Sequence, residues 1–384
     1  MPNVPNVPNT PNTPNTPNTP NTPSVPNIPN VLNTPNGLND PRAHLAGDVL
    51  AVVSQSGPTV SFYDAATDSL LDTIEVTAQP HELLFDPTQR LLWCTSAYRS
   101  GYYNAHDGHR TEVTVIDADT RRIVEVIDLA PEHGPHGLAL DPVRGRLYVS
   151  VEASANRPGG VVVIDTATRR PLGRIDTDAP GPHWFAISPD GRTGYATNKE
   201  APYVSVVDLD RGTLTAKVAV PGSEGLAVSA DGARVYVGGP YLGFAKDPDA
   251  TPGIRVIDAR TATVTDVLPT GSAVLPVHLT ASGRLLAGEI HATTSPDSAL
   301  AGQGPGRLTV FSAATHRPLG SVEVGTFPLT ITSSPDGRLG YVASAVSSTV
   351  DVIDLDTLTP VTRLTVPKRA EPGAHGLAYL PRPA

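Results

Sequence analysis

One 17-residue segment recurs seven times between Val60 and Val366, without an internal gap in any copy. Each copy has a β-branched run, a polar turn and a second β-branched run, which is typical of a β-hairpin. A second strand–turn–strand pattern, often with Asp-Gly or Pro-Asp-Gly at the turn, precedes the hairpins. Four strands per unit, repeated every 40 to 55 residues or so, predict the blades of a β-propeller rather than a sandwich.

The two ends of the repeat region are complementary. The segment Asp48–Gln55 resembles a second strand with no first strand before it, and Ala374–Leu380 resembles a first strand with no second strand after it. Pairing the two segments would complete blade one and cover both exposed sheet edges. The sequence therefore predicts an all-β fold over residues 44–384: a seven-bladed propeller of four-stranded antiparallel blades, closed by its C-terminal strand.

An aspartate occupies the fifth position of six hairpin copies, where Ser312 replaces it once. A short polar side chain there can accept hydrogen bonds from the N–H groups of its own turn. We interpret these residues as structural, since a shared acid/base or calcium site would require carboxylates from separate blades to meet. They are Asp64, Asp117, Asp165, Asp208, Asp258 and Asp354.

Residues 2 to about 40, within a tail of residues 1–43, repeat Pro-Asn-Val or Pro-Asn-Thr almost without interruption. Proline at every third position removes backbone donors and favours extended polyproline II over helix or sheet. We predict a disordered linker or spacer. The alternative is that the tail binds a protein partner that reads polyproline.

Several second strands carry a recognisable motif. Tyr195-Ala196-Thr197-Asn198 and the copies around Tyr148, Tyr236 and Tyr341 resemble the YVTN repeat, and the Val-Ile-Asp hairpins fit the same pattern. From about residue 44 onward the chain thus resembles the surface-layer-type and YncE-like propellers. The resemblance implies the fold but says little about activity, because one fold hosts many functions.

Composition excludes several classes of partner. The net charge is -10 and no Lys/Arg cluster is present, which argues against duplex nucleic acid and anionic membranes. Aromatic residues make up 5% of the chain, too few for a base-stacking platform. The one cysteine, Cys94, permits neither an intrachain disulfide nor a thiolate cluster. No apolar span or secretory signal is visible, so we expect a cytoplasmic protein, although a different start site would allow export.

The first residues of the innermost strands should line one mouth of the central channel. Imidazole and carboxylate groups there are ligands for copper, iron or zinc, and we predict a divalent transition metal on the four histidines. Alternatively, each histidine only hydrogen-bonds the backbone of a neighbouring blade. In order from blade one, these positions are His375, His81, His136, His183, Glu224, Val277 and Leu329.

Long loops after the second strands of blades two, three, five and six should lie on the same face, where function is often built. Glu224 could be a fifth ligand or a general base, and Glu152 or Glu289 a proton shuttle. Each of these residues could equally be an ordinary polar residue. The candidate substrate-binding residues are Asn198, His291, His106 and His109.

The sequence contains no phosphate-binding loop, nucleophile elbow, HExxH helix or dinucleotide fingerprint. From the four histidines at the channel mouth we expect a metal-dependent enzyme acting on a small molecule, with hydrolase, lyase and metal-oxidative chemistry all open. The alternative is a non-catalytic propeller that binds a small ligand or a protein partner. A structural role at the cell surface would require export.

Overall fold

The computed structural model describes residues 42–102, 105–247, 249–292 and 302–383. Residues 42–384 form one compact unit. Apart from its last two residues, the predicted tail lies outside the described residues. Arg42 donates to Asp68 at 2.7 Å, and Leu45 is buried in the hydrophobic core. Within the described residues, no helix is both long and apolar enough to cross a membrane.

Seven four-stranded antiparallel sheets confirm the predicted seven-bladed propeller. Strands are numbered along the chain. Blade one contains β1 (Val49–Ser54), β2 (Thr59–Asp64), β3 (Leu70–Glu75) and β30 (Ala374–Leu380). Blade two contains β4 (Pro80–Asp86), β5 (Leu91–Tyr98), β8 (His109–Asp117) and β9 (Arg122–Asp128), with a small hairpin of β6 (Gly101–Tyr102) and β7 (Ala105–His106) inserted. Blade three contains β10 (Leu138–Asp141), β11 (Arg146–Val151), β12 (Gly160–Asp165) and β13 (Arg170–Asp176).

The remaining blades follow the same order. Blade four contains β14 (Pro182–Ile187), β15 (Thr193–Asn198), β16 (Tyr203–Asp208) and β17 (Thr213–Ala219). Blade five contains β18 (Leu226–Val228), β19 (Arg234–Gly239), β20 (Gly253–Asp258) and β21 (Thr263–Pro269). Blade six contains β22 (Val274–Leu279), β23 (Arg284–Ala292), β24 (Gln303–Ser312) and β25 (Pro318–Thr326). Blade seven contains β26 (Pro328–Ser333), β27 (Leu339–Ser344), β28 (Thr349–Asp354) and β29 (Thr359–Thr365). Two short 3-10 helices are Ala43–Leu45 and Leu242–Lys246.

The predicted closure is confirmed. Strand β30 pairs antiparallel with β1, with Val49 opposite Leu380. The Tyr379 hydroxyl donates a 2.6 Å hydrogen bond to Asp48, and every residue of β30 is buried. The C-terminal segment is therefore the innermost strand of blade one.

Hydrophobic packing joins each blade to its neighbours. Trp93 of blade two, for example, shares one buried cluster with Leu147 and Val149 of blade three. The hairpin turns are held as the sequence indicated: Asp117 accepts hydrogen bonds of 2.7 Å from both the backbone N–H and the hydroxyl of Thr120. These bonds lower the pKa of Asp117. The repeated aspartates therefore stabilise turns.

The innermost strands touch one another at their first residues. The Gly137 N–H donates to the carbonyl of His183 in the next blade at 2.8 Å, and the Ser150 hydroxyl donates to the same oxygen at 2.7 Å. These bonds fix the backbone of His183 from blade three. The direction of the His183 side chain therefore depends on hydrogen bonds that blade three, and not blade four, supplies.

We expect Gly137→Ala to destabilise the protein by about 1–3 kcal/mol, the usual cost of overpacking a tight contact. A Cβ at residue 137 would lie 2.6 Å from the His183 carbonyl oxygen. Gly173→Ala in β13 of the same blade is the control, since a Cβ there meets nothing within 4 Å. Urea unfolding measures both variants, and equal stability would contradict this account of the inter-blade contact.

Candidate metal centre

Four buried histidines from blades one to four cluster at one mouth of the channel. The ring centroid of His81 lies 4.1 Å from that of His375 and 4.6 Å from that of His136. The centroids of His136 and His183 are 4.8 Å apart. Each of the four residues is at most 4% exposed. Imidazoles from successive blades therefore face a common region.

The ring of equivalent positions differs from the sequence prediction in blade six. There the residue equivalent to His183 is Leu275, not Val277. Val274 is paired with Glu289 as Pro182 is with Asn198, and the Leu275 carbonyl accepts the N–H of Gly225 at 2.7 Å. The Pro-Val pair at 276–277 imitates the Pro-His pair of other blades but lies two residues further along the strand.

The potential ligand atoms form two overlapping groups that share His81. In one group, atoms of His81, His136 and His183 all lie within 4.8 Å of one another. The other joins His81 to Glu82 and His375 within the same distance. Imidazole nitrogens with a carboxylate suit zinc, copper or iron. The residues present therefore fit such an ion.

His136 is held in the tautomer that a metal ligand requires. Its Nδ1 donates to the Gly134 carbonyl at 2.7 Å, so Nε2 is the ring nitrogen that carries the lone pair. That Nε2 lies 3.1 Å from the Tyr98 hydroxyl and 3.5 Å from Glu152. The ring is thus oriented by the backbone just before His136, not by the backbone of a neighbouring blade, and its second nitrogen faces Tyr98 and Glu152.

Glu224 supports His183 from blade five. Its Oε2 lies 2.6 Å from Nδ1 of His183, and both side chains are buried. Burial raises the pKa of Glu224 to about 8, although Lys199 opposes the shift. When ionised, this carboxylate accepts the Nδ1 proton of His183 and leaves Nε2 as the ligand nitrogen, the arrangement by which carboxylates orient metal-binding histidines.

Beside the histidines lies a more accessible group around Glu152. This carboxylate accepts from the Tyr98 hydroxyl at 2.8 Å and contacts Nε2 of His109 at 2.8 Å. Burial alone would raise the pKa of Glu152, but Lys199, His109, His136 and Tyr98 together hold it well below its usual value. Glu152 is therefore ionised next to the histidine cluster.

Two of the predicted substrate-binding residues, His106 and Asn198, lie in different surroundings. His106 stacks on Tyr98 at 4.4 Å and lies beside His109 at 4.5 Å, close to Glu152. Asn198 is buried and donates to the Tyr203 carbonyl and the Ser205 hydroxyl, at 2.8 and 3.0 Å.

Glu289 and His291 belong to a separate group in blade six. Glu289 accepts from the Ser272 N–H at 3.1 Å and from the Thr309 hydroxyl. His291 contacts the Ser272 hydroxyl at 3.3 Å. Neither is among the groups that gather around the four histidines in the described part of the chain.

Three residues of the site were not predicted: Lys199, Tyr98 and Glu82. Lys199 is buried with its Nζ 3.6 Å from Glu152 and 3.4 Å from the Tyr98 hydroxyl. Glu82 is also buried, and its Oε1 lies 3.3 Å from Nδ1 of His375. A signal for Glu82 existed, since it occupies the position that is glycine after His136 and His375.

Metal-free protein should be most stable near pH 6.5. Burial lowers the pKa of all four histidines below 6.5, that of His375 to about 3. The unfolded chain therefore binds more protons in acid, and the stability that these rings contribute is lost as pH falls from 6.5. For His375 the loss between pH 6.5 and pH 5 is about 2 kcal/mol. Glu224, whose pKa burial raises to about 8, and Glu82, whose pKa is also raised, act in the opposite direction: their stabilisation falls as pH rises from about 4.5, and this loss dominates above pH 6.5, where the contribution of the histidines has levelled off.

Urea unfolding with a chelator present, at about pH 5, 6.5 and 8.5, measures this profile. His375→Phe should lose part of the acid sensitivity while keeping the alkaline limb. Stability that increases steadily toward pH 5 would contradict the neutral state of the buried rings.

The comparisons with known proteins agree with this architecture. No family model matches the chain. The uncharacterized YncE proteins of Salmonella typhi and Salmonella typhimurium are both 28% identical to it over 212 residues, which is 54% of this chain and 53% of each relative. The match thus spans about half the length of the curated relatives.

Among solved structures, Kuenenia stuttgartiensis hydrazine synthase superimposes with a TM-score of 0.60 at 16% identity. The superposition covers 74% of this chain and 86% of that chain, and at this identity it supports the fold alone. Together with the seven blades observed, these similarities support a seven-bladed β-propeller of the YncE-like kind.

Proposed function

We propose that this propeller is a metal-dependent enzyme that acts on a small molecule at the histidine-lined mouth of its channel. The supporting observation is the group of His81, His136 and His183, whose potential ligand atoms lie within 4.8 Å of one another. A divalent copper, iron or zinc ion held there would act as a Lewis acid or lower the pKa of a bound water. Copper or iron would favour oxidative chemistry. Zinc would favour hydrolysis or elimination.

Glu152 is the best candidate for proton transfer. It is ionised and adjoins His136, and a general base must lie within hydrogen-bonding reach of the group it deprotonates. Its side chain is 14% exposed and that of His109 is 30% exposed, whereas the four histidines are almost fully buried. A substrate would therefore approach from the Glu152 side.

A second function is favoured by the burial of the histidines themselves. An ion enclosed by residues at most 4% exposed could be structural, and the propeller would then bind a small ligand or partner without turnover. The two functions differ in whether a metal-dependent reaction occurs.

The test compares chelated protein with protein reloaded with zinc, copper or iron, on panels of small esters, lactones and oxidisable phenols. We expect turnover only after reloading, and at least a 100-fold lower kcat in Glu152→Gln with unchanged metal content. Glu289→Gln is the control, because this second buried glutamate is bonded within blade six.

Activity that survives chelation, or a Glu152→Gln variant as active as the parent, would contradict the enzymatic proposal. Metal that raises the unfolding temperature without turnover on any panel would support the non-catalytic function instead.

A further inference from the structure

We propose that the channel mouth holds two metal ions, joined by the ring of His81 as a bridging imidazolate. This inference deepens the proposed function and depends on it for the first ion. That ion would be held by His81, His136 and His183, and the second by His81, Glu82 and His375.

The first observation is that the two groups share one residue and no other. His81 lies between them, with its centroid 4.6 Å from that of His136 and 4.1 Å from that of His375. The four rings do not form a single group within 4.8 Å. One ion on all four histidines would therefore require at least one of the rings to move closer to the others.

The second observation concerns the nitrogens of His81. Both are buried, and among the described residues neither has a hydrogen-bond partner. A neutral imidazole has one N–H donor and one acceptor nitrogen, and leaving both buried without a partner destabilises the folded protein. One ion would satisfy one nitrogen. A second ion would satisfy the other, with the ring proton released to solvent.

The third observation is the placement of Glu82. This side chain is 3% exposed, and its Oε1 lacks a hydrogen-bond partner in the described part of the chain while lying 3.3 Å from Nδ1 of His375. Equivalent positions in blades one and three are Gly376 and Gly137, which contribute only backbone. Blade two thus adds a buried carboxylate where its neighbours have no side chain, and a carboxylate there is a suitable ligand for a cation.

Copper(II) is the probe, because its paramagnetism reports on a bridge. The full chain is stripped with chelator, loaded with copper(II), desalted, and examined by mass spectrometry for metal and by electron paramagnetic resonance for spins. We expect two copper ions per chain and an integrated signal well below two spins, since an imidazolate couples the two ions magnetically.

Two variants remove the second site alone. Glu82→Gln and His375→Gln should each bind one copper ion with a full mononuclear signal, and circular dichroism with thermal unfolding verifies that they fold. His44→Ala, an exposed histidine, is the control and should retain two coupled ions.

One copper ion with a full signal in the parent chain would overturn the second site and leave the single-ion proposal intact. Two ions without magnetic coupling would overturn the bridge, and two coupled ions in both variants would overturn Glu82 and His375 as ligands of the second ion. Absence of bound copper, zinc and iron in the parent would overturn this inference together with the proposed function.

Discussion

A chain that ends at Gly373 is expected not to fold into a stable propeller. The truncation removes β30, whose seven residues are all buried, and uncovers the edge of β1. Burying a leucine side chain contributes about 1.5–3 kcal/mol, and both Leu377 and Leu380 are lost. With the ring of Tyr379 and the strand hydrogen bonds, the loss approaches the whole stability of a typical domain, about 5–15 kcal/mol.

Circular dichroism and urea unfolding measure the effect, with a chain ending at Arg382 as the control that retains β30. A truncated chain that unfolds cooperatively at the urea concentration of the control would show that the C-terminal strand does not close the ring.

Removal of a ligand should weaken metal binding far more than removal of a residue that only orients one. We expect His136→Ala to raise the Kd for zinc by more than 100-fold, because a directly bonded nitrogen is lost. Glu224→Gln should raise it by about 10–100-fold, since Glu224 acts through His183. A competing chromophoric chelator measures both, and His44→Ala should leave the Kd unchanged.

The same binding should stabilise the fold. Zinc at 100 times its Kd adds about 2.7 kcal/mol to the free energy of unfolding in the parent chain. Equal stabilisation of His136→Ala would place the bound zinc elsewhere and remove the basis for the site.

Much of the fold follows from local patterns in the sequence. The β-branched runs and the turn residues of each hairpin define strands such as β8 and β9. The unpaired strand-like segments at the two ends of the repeat region imply that they close the propeller ring. The positions of His81, His136 and His183 could be predicted because repeats place equivalent residues at equivalent points of the ring. Leu275 was missed since a neighbouring Pro-Val pair imitates the motif.

The side-chain contacts between blades were not predictable in this way. Lys199, Glu152 and Tyr98 come from three different blades. Glu152 and Lys199 occupy equivalent positions after the second strands of blades three and four, but the repeat does not show that their side chains meet Tyr98. The length of the blade six loop indicated that Glu289 would lie near the face that carries the histidines. It did not indicate that the carboxylate would turn toward Ser272. The direction of a side chain depends on hydrogen bonds that sequence spacing does not encode.

The most direct test of the site is anomalous diffraction from a crystal of the full chain soaked in zinc, recorded on both sides of the zinc absorption edge. We predict a peak about 2.0–2.1 Å from nitrogens of His81, His136 and His183, the usual zinc–imidazole distance. Zinc bound only at surface carboxylates or surface histidines, with no peak among these rings, would contradict the account.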